Sequence, residues 1–238
     1  MRAGLIPLRT IPRQVEQNLA ELERRLTEAA RFSPDLVCLP ECTLTGYLYE
    51  QSDFERFAEP LDGPGARRLA DLARRFEVFL CAGLLERAAE GVYNAALLFD
   101  RRGHLRLHHR KIEEKPPFLC GRSFRSAETE LGRLGILVCG DLFNEQVIAQ
   151  VDRSLDFLLM PMSRSFDGRS PDAARWEREE RQVYLDGVRQ AGVTTLIVNA
   201  LEPLPEEGAF GGALAVRADG ALLGESRHGT DQLLLVDW

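Results

Sequence analysis

Three side chains of different chemistry stand directly after apolar, strand-like runs of this sequence: Glu41, Lys111 and Cys139. Lys111 is one of only two lysines among 30 Lys and Arg residues, so an ammonium is kept at this position while arginine serves almost everywhere else. A cysteine can attack a carbonyl or nitrile carbon, a glutamate can move the proton, and an ammonium can stabilise the developing oxyanion. Together the three residue types indicate a nucleophilic hydrolase.

Cys139 is expected at a corner between a strand and a helix. Free backbone amides and the positive end of the following helix would favour its thiolate. Gly140 allows the backbone to approach a ligand closely, so its amide is a candidate oxyanion donor. Taken alone, Cys139 could equally be a buried structural cysteine, Glu41 a solvated loop residue, and Lys111 a surface lysine.

Composition limits the classes of protein that fit. The chain has 238 residues, 45% hydrophobic content and a formal net charge of −7, which favours a globular protein and opposes binding to nucleic acid or an anionic membrane. No apolar run reaches the roughly 20 residues that a membrane-spanning helix needs, and no signal peptide is recognisable. The five cysteines form no CxxC pair, which favours a reduced, cytoplasmic protein without a metal site.

The elements that would position the three residues alternate between strands and helices. We predict helices at 12–31, 63–76, about 143–153 and 172–190. We predict strands at 2–6, 36–39, 78–85, 92–99, 104–109, 124–127, 134–138, 157–160 and 194–198, then a meander of 212–216, 221–224 and 233–236. Continuous apolar runs indicate strands covered on both faces. We expect one α/β domain over 1–238, with two similar halves that pack their sheets together and carry helices outside.

The motifs around the three residues resemble those of the nitrilase superfamily, the carbon–nitrogen hydrolases. Residues 39–47, Leu-Pro-Glu-Cys-Thr-Leu-Thr-Gly-Tyr, are similar to the family's glutamate motif. Residues 109–112, His-Arg-Lys-Ile, resemble its lysine motif, and residues 132–143 resemble its cysteine motif. The order of the three motifs also matches, and the resemblance extends over the whole chain.

The resemblance implies a four-layer αββα sandwich of two mixed β-sheets with helices outside, frequently assembled as a homodimer. It implies that Glu41 is the general base, Lys111 the oxyanion stabiliser and Cys139 the nucleophile. Many members have a second glutamate after the lysine; Glu114 has a suitable position, and Glu113 competes with it.

We therefore expect cleavage of a small amide or carbamoyl compound at a non-peptide C–N bond, through a thioester and without cofactor or metal. The expected partner is a small molecule only, and the protein itself is expected to form a homodimer or higher homo-oligomer. Besides the Gly140 amide, the predicted substrate-contacting residues are Tyr47, Phe143, Met162 and Ser163.

Three alternatives stay open. The same triad could hydrolyse a nitrile, or the scaffold could be a non-catalytic binding or assembly module. A cysteine–histidine hydrolase could instead use one of the four histidines as its base, namely His104, His108, His109 or His228. The glycine-rich residues 208–212 do not form a GxGxxG motif and precede a meander, so a dinucleotide-binding protein is poorly supported.

Overall fold

Two six-stranded sheets form the centre of the computed structural model, which describes residues 1–165, 173–203 and 208–238. The first sheet has the order β12-β1-β2-β3-β4-β5, and the second β11-β10-β9-β8-β7-β6. The strands of the first sheet are β1 Arg2–Leu5, β2 Leu36–Cys38, β3 Phe79–Ala88, β4 Gly91–Phe99, β5 Leu105–Arg110 and β12 Leu234–Asp237. Those of the second are β6 Ser126–Thr129, β7 Gly132–Ile136, β8 Phe157–Met162, β9 Thr195–Asn199, β10 Ala213–Val216 and β11 Leu222–Glu225.

Both sheets are mixed. Strands β1, β2 and β3 run parallel to one another, as do β7, β8 and β9, and the remaining pairings are antiparallel. The facing surfaces of the sheets share one apolar core, which contains Leu5, Leu36 and Leu98 from the first sheet and Leu134, Leu159 and Leu196 from the second.

Helices cover the outer faces. Helices α1 (Val15–Ala30) and α3 (Pro64–Phe76) pack on the first sheet, and α6 (Arg181–Ala191) packs on the second. The short helices are α2 (Gln51–Phe57), α4 (Glu145–Ile148) and α5 (Ala173–Arg175). The predicted sandwich of two mixed sheets with helices outside is confirmed.

The final predicted strand belongs to the other sheet. Residues 233–236 were expected to complete a meander beside β11, but β12 pairs antiparallel with β1, with Gly4 opposite Leu235. This pairing closes the free edge of β1 and buries Val236 between the two sheets.

Two helix predictions need correction. The helix expected at about 143–153 is a 3₁₀ turn, Cys139–Phe143, followed by the four residues of α4, because Asp152 accepts the Ser154 amide in a tight turn. Helix α2 was not predicted. The helix expected at 172–190 starts at residue 172, outside the described residues; what is described comprises α5, a π-helical turn Trp176–Glu180 and α6.

No helix within the described ranges combines the length and apolar character that crossing a bilayer requires.

Candidate active site

The predicted site residues meet at one edge of the sandwich, where strands of both sheets end. Glu41 follows β2, Ser163 follows β8, Cys139 lies three residues beyond β7, and Lys111 comes directly after β5. The Glu41 amide donates to the carbonyl of Met162 across the two sheets, at 3.3 Å. Side chains at the carboxyl ends of strands share this edge, which is where open α/β sheets place ligands.

A glycine on β3 lets the Glu41 turn approach the sheet. The Gly83 amide donates to the Pro40 carbonyl at 3.0 Å, and a Cβ at Gly83 would lie only 2.6 Å from the Glu41 Cα. Any side chain at position 83 would therefore displace the backbone that carries the glutamate.

Glu41 is buried and held by three donors. Its Oε1 accepts from Lys111 Nζ at 3.2 Å and from Asn94 Nδ2, and its Oε2 accepts from the Ser163 amide at 2.8 Å. These contacts fix the carboxylate in one orientation, as a general base requires.

Lys111 lies between two carboxylates. Its Nζ donates to Glu114 Oε2 at 2.7 Å as well as to Glu41, and Tyr47 donates its hydroxyl to the same Glu114 oxygen at 2.8 Å. Burial alone would lower the pKa of Lys111, but the negative charges of Glu41 and Glu114 outweigh burial and raise that pKa. The lysine is therefore a permanent cation inside the site.

Glu113, the other candidate for the second glutamate, contacts Asn144 and Asp141 instead of Lys111. Its carboxylate accepts from the Asn144 side chain, and its amide donates to Asp141 at 2.8 Å. Of the two candidates for the second glutamate, Glu114 is therefore the one whose carboxylate contacts Lys111.

Asn94 is a site residue that the sequence reasoning missed. It lies on β4 and donates through Nδ2 to both Glu41 and Glu114, the latter at 2.9 Å, while its carbonyl accepts the Lys111 amide at 2.8 Å. A polar residue inside the apolar run Val92–Phe99 was the available signal, since buried amides normally have a specific partner.

Cys139 occupies a strained backbone position at the end of the second sheet. Its φ is +46°, in the left-handed region that cysteine seldom adopts, and the side chain is only partly buried. A Cβ at Gly140 would lie 3.7 Å from the Lys111 Cε, so the lysine stem packs beside this turn. Strained turns of this kind occur frequently at functional sites.

The surroundings of Cys139 do not favour the expected thiolate. Burial and the charge of Glu41 raise the pKa of Cys139 to about 12, although Lys111 and a hydrogen bond from the Ser163 amide act in the opposite direction. The expected helix start is only a 3₁₀ turn followed by a four-residue helix, which offers little positive potential. The sulfur is therefore a thiol at neutral pH.

A second cysteine, Cys42, also lies beside Glu41. It has a φ of +45° and its sulfur is 3.9 Å from Asn94 Oδ1, but the side chain is fully buried. Burial and the charge of Glu41 raise the pKa of Cys42 well above its ordinary value. Its burial fits a small structural side chain, whereas Cys139 is the more accessible of the two sulfurs.

Asp141 joins the lysine and cysteine segments. Its Oδ1 accepts the amides of Ile112 and Glu113 at 2.9 and 2.8 Å, and its Oδ2 accepts the Val138 amide at 3.0 Å. The His109 ring nitrogen Nε2 lies 3.1 Å from the same Oδ2, and both side chains are fully buried. One carboxylate thus fixes the chain on either side of the reacting groups.

The predicted pocket residues take different places. Tyr47 and Ser163 line an open cleft of about 260 Å³ beside Glu41. Met162 is fully buried, and its contribution to the site is the carbonyl that holds the Glu41 turn. Phe143 is exposed and does not line this cleft, and its ring meets Tyr184 edge to face.

The histidines do not contact the candidate nucleophile. His104 lies near Asp100, His108 bonds Glu86, His109 bonds Asp141, and His228 stacks on Trp176. Among the described residues no cluster of three or more His, Cys, Asp or Glu side chains is arranged to hold a metal ion.

Comparison with known proteins places this geometry in a family. The chain is 27% identical over 163 residues to nitrilase homolog 2 of Dictyostelium discoideum, covering 61% of this chain and 49% of that protein. It is 26% identical over 184 residues to the omega-amidase NIT2 of Mus musculus, covering 71% of this chain and 65% of that protein. The chain spans about half the length of several of the curated relatives that it matches.

Solved structures share the fold across the whole chain. A carbon–nitrogen hydrolase from Helicobacter pylori G27 superposes with a TM-score of 0.83 at 20% identity, covering 99% of this chain and 88% of that one. An amidase from Nesterenkonia sp. superposes with a TM-score of 0.82 at 21% identity, covering 100% and 90%. The family model for carbon–nitrogen hydrolases matches residues 2–188. The chain belongs to the carbon–nitrogen hydrolase family.

Proposed function

We propose that residues 1–238 form one hydrolase domain that cleaves a small amide or carbamoyl compound at a non-peptide C–N bond. The observation that carries the proposal is the buried contact between the Glu41 carboxylate and the Lys111 ammonium at 3.2 Å, at the strand-end edge where Cys139 also lies. The Lys111 stem also packs beside the turn that carries Cys139, since a Cβ at Gly140 would lie 3.7 Å from the Lys111 Cε.

Glu41 takes the thiol proton while the Cys139 sulfur attacks the carbonyl carbon. Because the pKa of Cys139 is raised to about 12, proton removal and attack are coupled, and no free thiolate accumulates beforehand. The carbonyl oxygen becomes an oxyanion, stabilised by Lys111 and the Gly140 amide.

Collapse of this intermediate breaks the C–N bond. Glu41 gives its proton to the departing nitrogen, which leaves as ammonia or an amine, and the acyl group remains on the sulfur as a thioester. Glu41 then deprotonates a water that attacks the thioester, and the proton returns to the sulfur as the acid departs. Glu114 and Asn94 act by holding Lys111 and Glu41 in place.

The names of relatives support amides as the substrate class. One relative is an omega-amidase, and a variant of the Nesterenkonia amidase shows covalent addition of the acetamide moiety of fluoroacetamide at its active-site cysteine. Nitrile hydrolysis by the same residues is the alternative, since other relatives are named as nitrilases.

Ammonia release from ω-amides, carbamoyl amino acids and nitriles would identify the substrate class. The decisive pair of variants is Cys139→Ala and Cys42→Ala, because both cysteines lie near Glu41 and both have a positive φ. We expect Cys139→Ala to stay folded and lose turnover, while Cys42→Ala retains most of it. The opposite result would make Cys42 the nucleophile, and full turnover in both variants would refute cysteine catalysis.

We further propose that the protein is a cytoplasmic homodimer or higher homo-oligomer that uses no metal or cofactor. All five cysteines are free, as in a reducing compartment. Val183 exposes 49% of its surface on α6, an outer helix that a second copy could cover. Light scattering at micromolar concentration tests the assembly, and a monomer there would contradict it.

A further inference from the structure

The cleft beside Ser163 carries a second carboxylate that the proposed reaction does not use. Glu202 comes three residues after β9, so it lies at the same strand-end edge as Glu41 and Ser163. It lines the 260 Å³ cleft together with Tyr47 and Ser163. A substrate that reaches the Ser163 side of Glu41 through this cleft would pass Glu202.

Backbone contacts hold the Glu202 carboxylate in place. Its Oε2 accepts the Ala209 amide at 3.1 Å. A Cβ added at Gly46 would lie 3.3 Å from its Oε1, so the turn before Tyr47 closes over the side chain. No lysine, arginine or histidine within the described ranges forms an ion pair with this carboxylate.

The surroundings of Glu202 compensate its negative charge only in part. Burial raises the pKa of Glu202, hydrogen bonds from the Ala209 and Tyr47 amides lower it, and the neighbouring charge of Glu41 raises it again, with a net rise. A carboxylate in this situation gains from any cation or N–H donor brought next to it.

Among the described residues, the other charged side chains that line the cleft, Arg13 and Glu50, do not reverse the negative sign of its charge. Arg13 is held by Asp53 at 2.7 Å and by Glu50 at 3.5 Å, so its positive charge is already matched. Arg164 lies towards Glu180, at 3.5 Å, and over the Phe143 ring, and it does not line this cleft. The cleft therefore repels a carboxylate and attracts an ammonium.

We propose that Glu202 is a specificity-determining residue that binds an ammonium or N–H group on the acyl part of the substrate. The protein accordingly prefers short amides with a terminal amine over neutral amides of the same length, and discriminates against amides with a terminal carboxylate. This inference rests on the amidase function proposed above.

Three amides of matched length test it: 4-aminobutanamide, pentanamide and succinamate. We expect the unmodified protein to have the highest kcat/KM for 4-aminobutanamide and the lowest for succinamate. Glu202→Gln should lower the ratio of kcat/KM for 4-aminobutanamide over pentanamide by at least about tenfold, because a partly buried charge partner is lost. Glu50→Gln is the matched control: this glutamate also lines the cleft but is 71% exposed, so its variant should change the ratio less than about twofold.

A binding measurement separates the two proposals. Each amide is also tested for protection of Cys139 against iodoacetamide, followed by peptide mass spectrometry. If all three amides protect equally, or if Glu202→Gln leaves their order unchanged, the role of Glu202 is wrong even where turnover is seen. If 4-aminobutanamide protects best but no amide is hydrolysed, the recognition stands and the proposed reaction fails.

Discussion

At the residue scale, the site is a compact arrangement of opposite charges. Lys111 carries one positive charge between Glu41 and Glu114, and the neighbouring sulfur of Cys139 stays protonated because burial and Glu41 raise the pKa of that thiol to about 12. In the proposed reaction the nucleophile is therefore held in its unreactive, protonated form. Reactivity then depends on proton transfer to Glu41 when a substrate is present.

Glu41→Gln should lower turnover and at the same time lower the pKa of Cys139. We expect turnover to fall by about 10²–10⁴-fold, because the amide cannot accept the proton. The pKa of Cys139 should fall at the same time, since the charge of Glu41 contributes to raising it, so alkylation by iodoacetamide should begin at lower pH. Peptide mapping across a pH series distinguishes Cys139 from the exposed Cys120. Glu113→Gln is the control, because that carboxylate bonds Asn144; retained turnover in Glu41→Gln would remove the glutamate from the mechanism.

Lys111→Arg should be far from conservative. The guanidinium keeps the charge but is larger and planar, and the lysine side chain is only 6% exposed between its two carboxylates. We expect kcat to fall by roughly 10²–10³-fold, comparable to the loss of one oxyanion donor. The other lysine provides the control: Lys115 lies on an exposed loop, and Lys115→Arg should change kcat less than about twofold. Equal activity of both variants would mean that any cation suffices at position 111.

At the element scale, the reacting groups depend on turns more than on regular structure. Asp141 holds the segment after β5 and the end of β7 together by accepting three backbone amides and facing His109. The residue touches no reacting atom in the proposed reaction. It is a positioning residue, and its effect should be visible in both stability and rate.

Asp141→Asn tests this junction. An amide NH₂ would face at least one of the backbone donors, so we expect a loss of about 1–3 kcal/mol in the free energy of unfolding, together with a lower kcat. Urea denaturation measures the first quantity and ammonia release the second. Asp62→Asn, at a turn residue whose side chain is 85% exposed, should stay within about 0.5 kcal/mol of the unmodified protein. An unchanged kcat in a destabilised Asp141→Asn protein would limit the role of Asp141 to folding.

Sequence patterns predicted the long elements well, because buried strands and the apolar stripe of α1 repeat regularly. They predicted the short ones poorly. The run after Cys139 has helix-like composition, but Asn144 caps α4 and the turn at Asp152 stops it after four residues. The position of β12 depends on which sheet edge is free, and no local pattern carries that information.

The candidate site also contains residues that the sequence predicted and residues that it did not. Glu41, Lys111 and Cys139 could be selected from residue type and motif, whereas Asn94 and Glu202 stand in segments without a motif. Their importance comes from strands that are distant in the chain and adjacent in the fold. The protonation state of Cys139 could not be predicted from the sequence, since it depends on burial and on the distance to Glu41.

At the scale of the whole molecule, the site exists only because two sheets pack together. Glu41 extends from the first sheet and Cys139 from the second, and the hydrogen bond from the Glu41 amide to the Met162 carbonyl crosses between them. The spacing of the proposed base and the proposed nucleophile is therefore set by the apolar layer between the sheets. A change in this layer should affect catalysis without touching a polar residue.

Leu159→Ala is the sharpest test of this dependence. Leu159 is fully buried on β8 in the layer between the sheets, so its truncation should leave a cavity and cost about 2–5 kcal/mol in the free energy of unfolding. Because β8 leads directly to Met162 and Ser163, relaxation around the cavity should also lower kcat under conditions where the variant is fully folded.

Leu223→Ala on β11 is the matched control: this leucine is 44% exposed and should cost less than about 1 kcal/mol with no change in kcat. Urea denaturation and ammonia release at a temperature well below the transition separate the two effects. A destabilised but fully active Leu159→Ala protein would show that the strand ends keep their spacing without the core between the sheets.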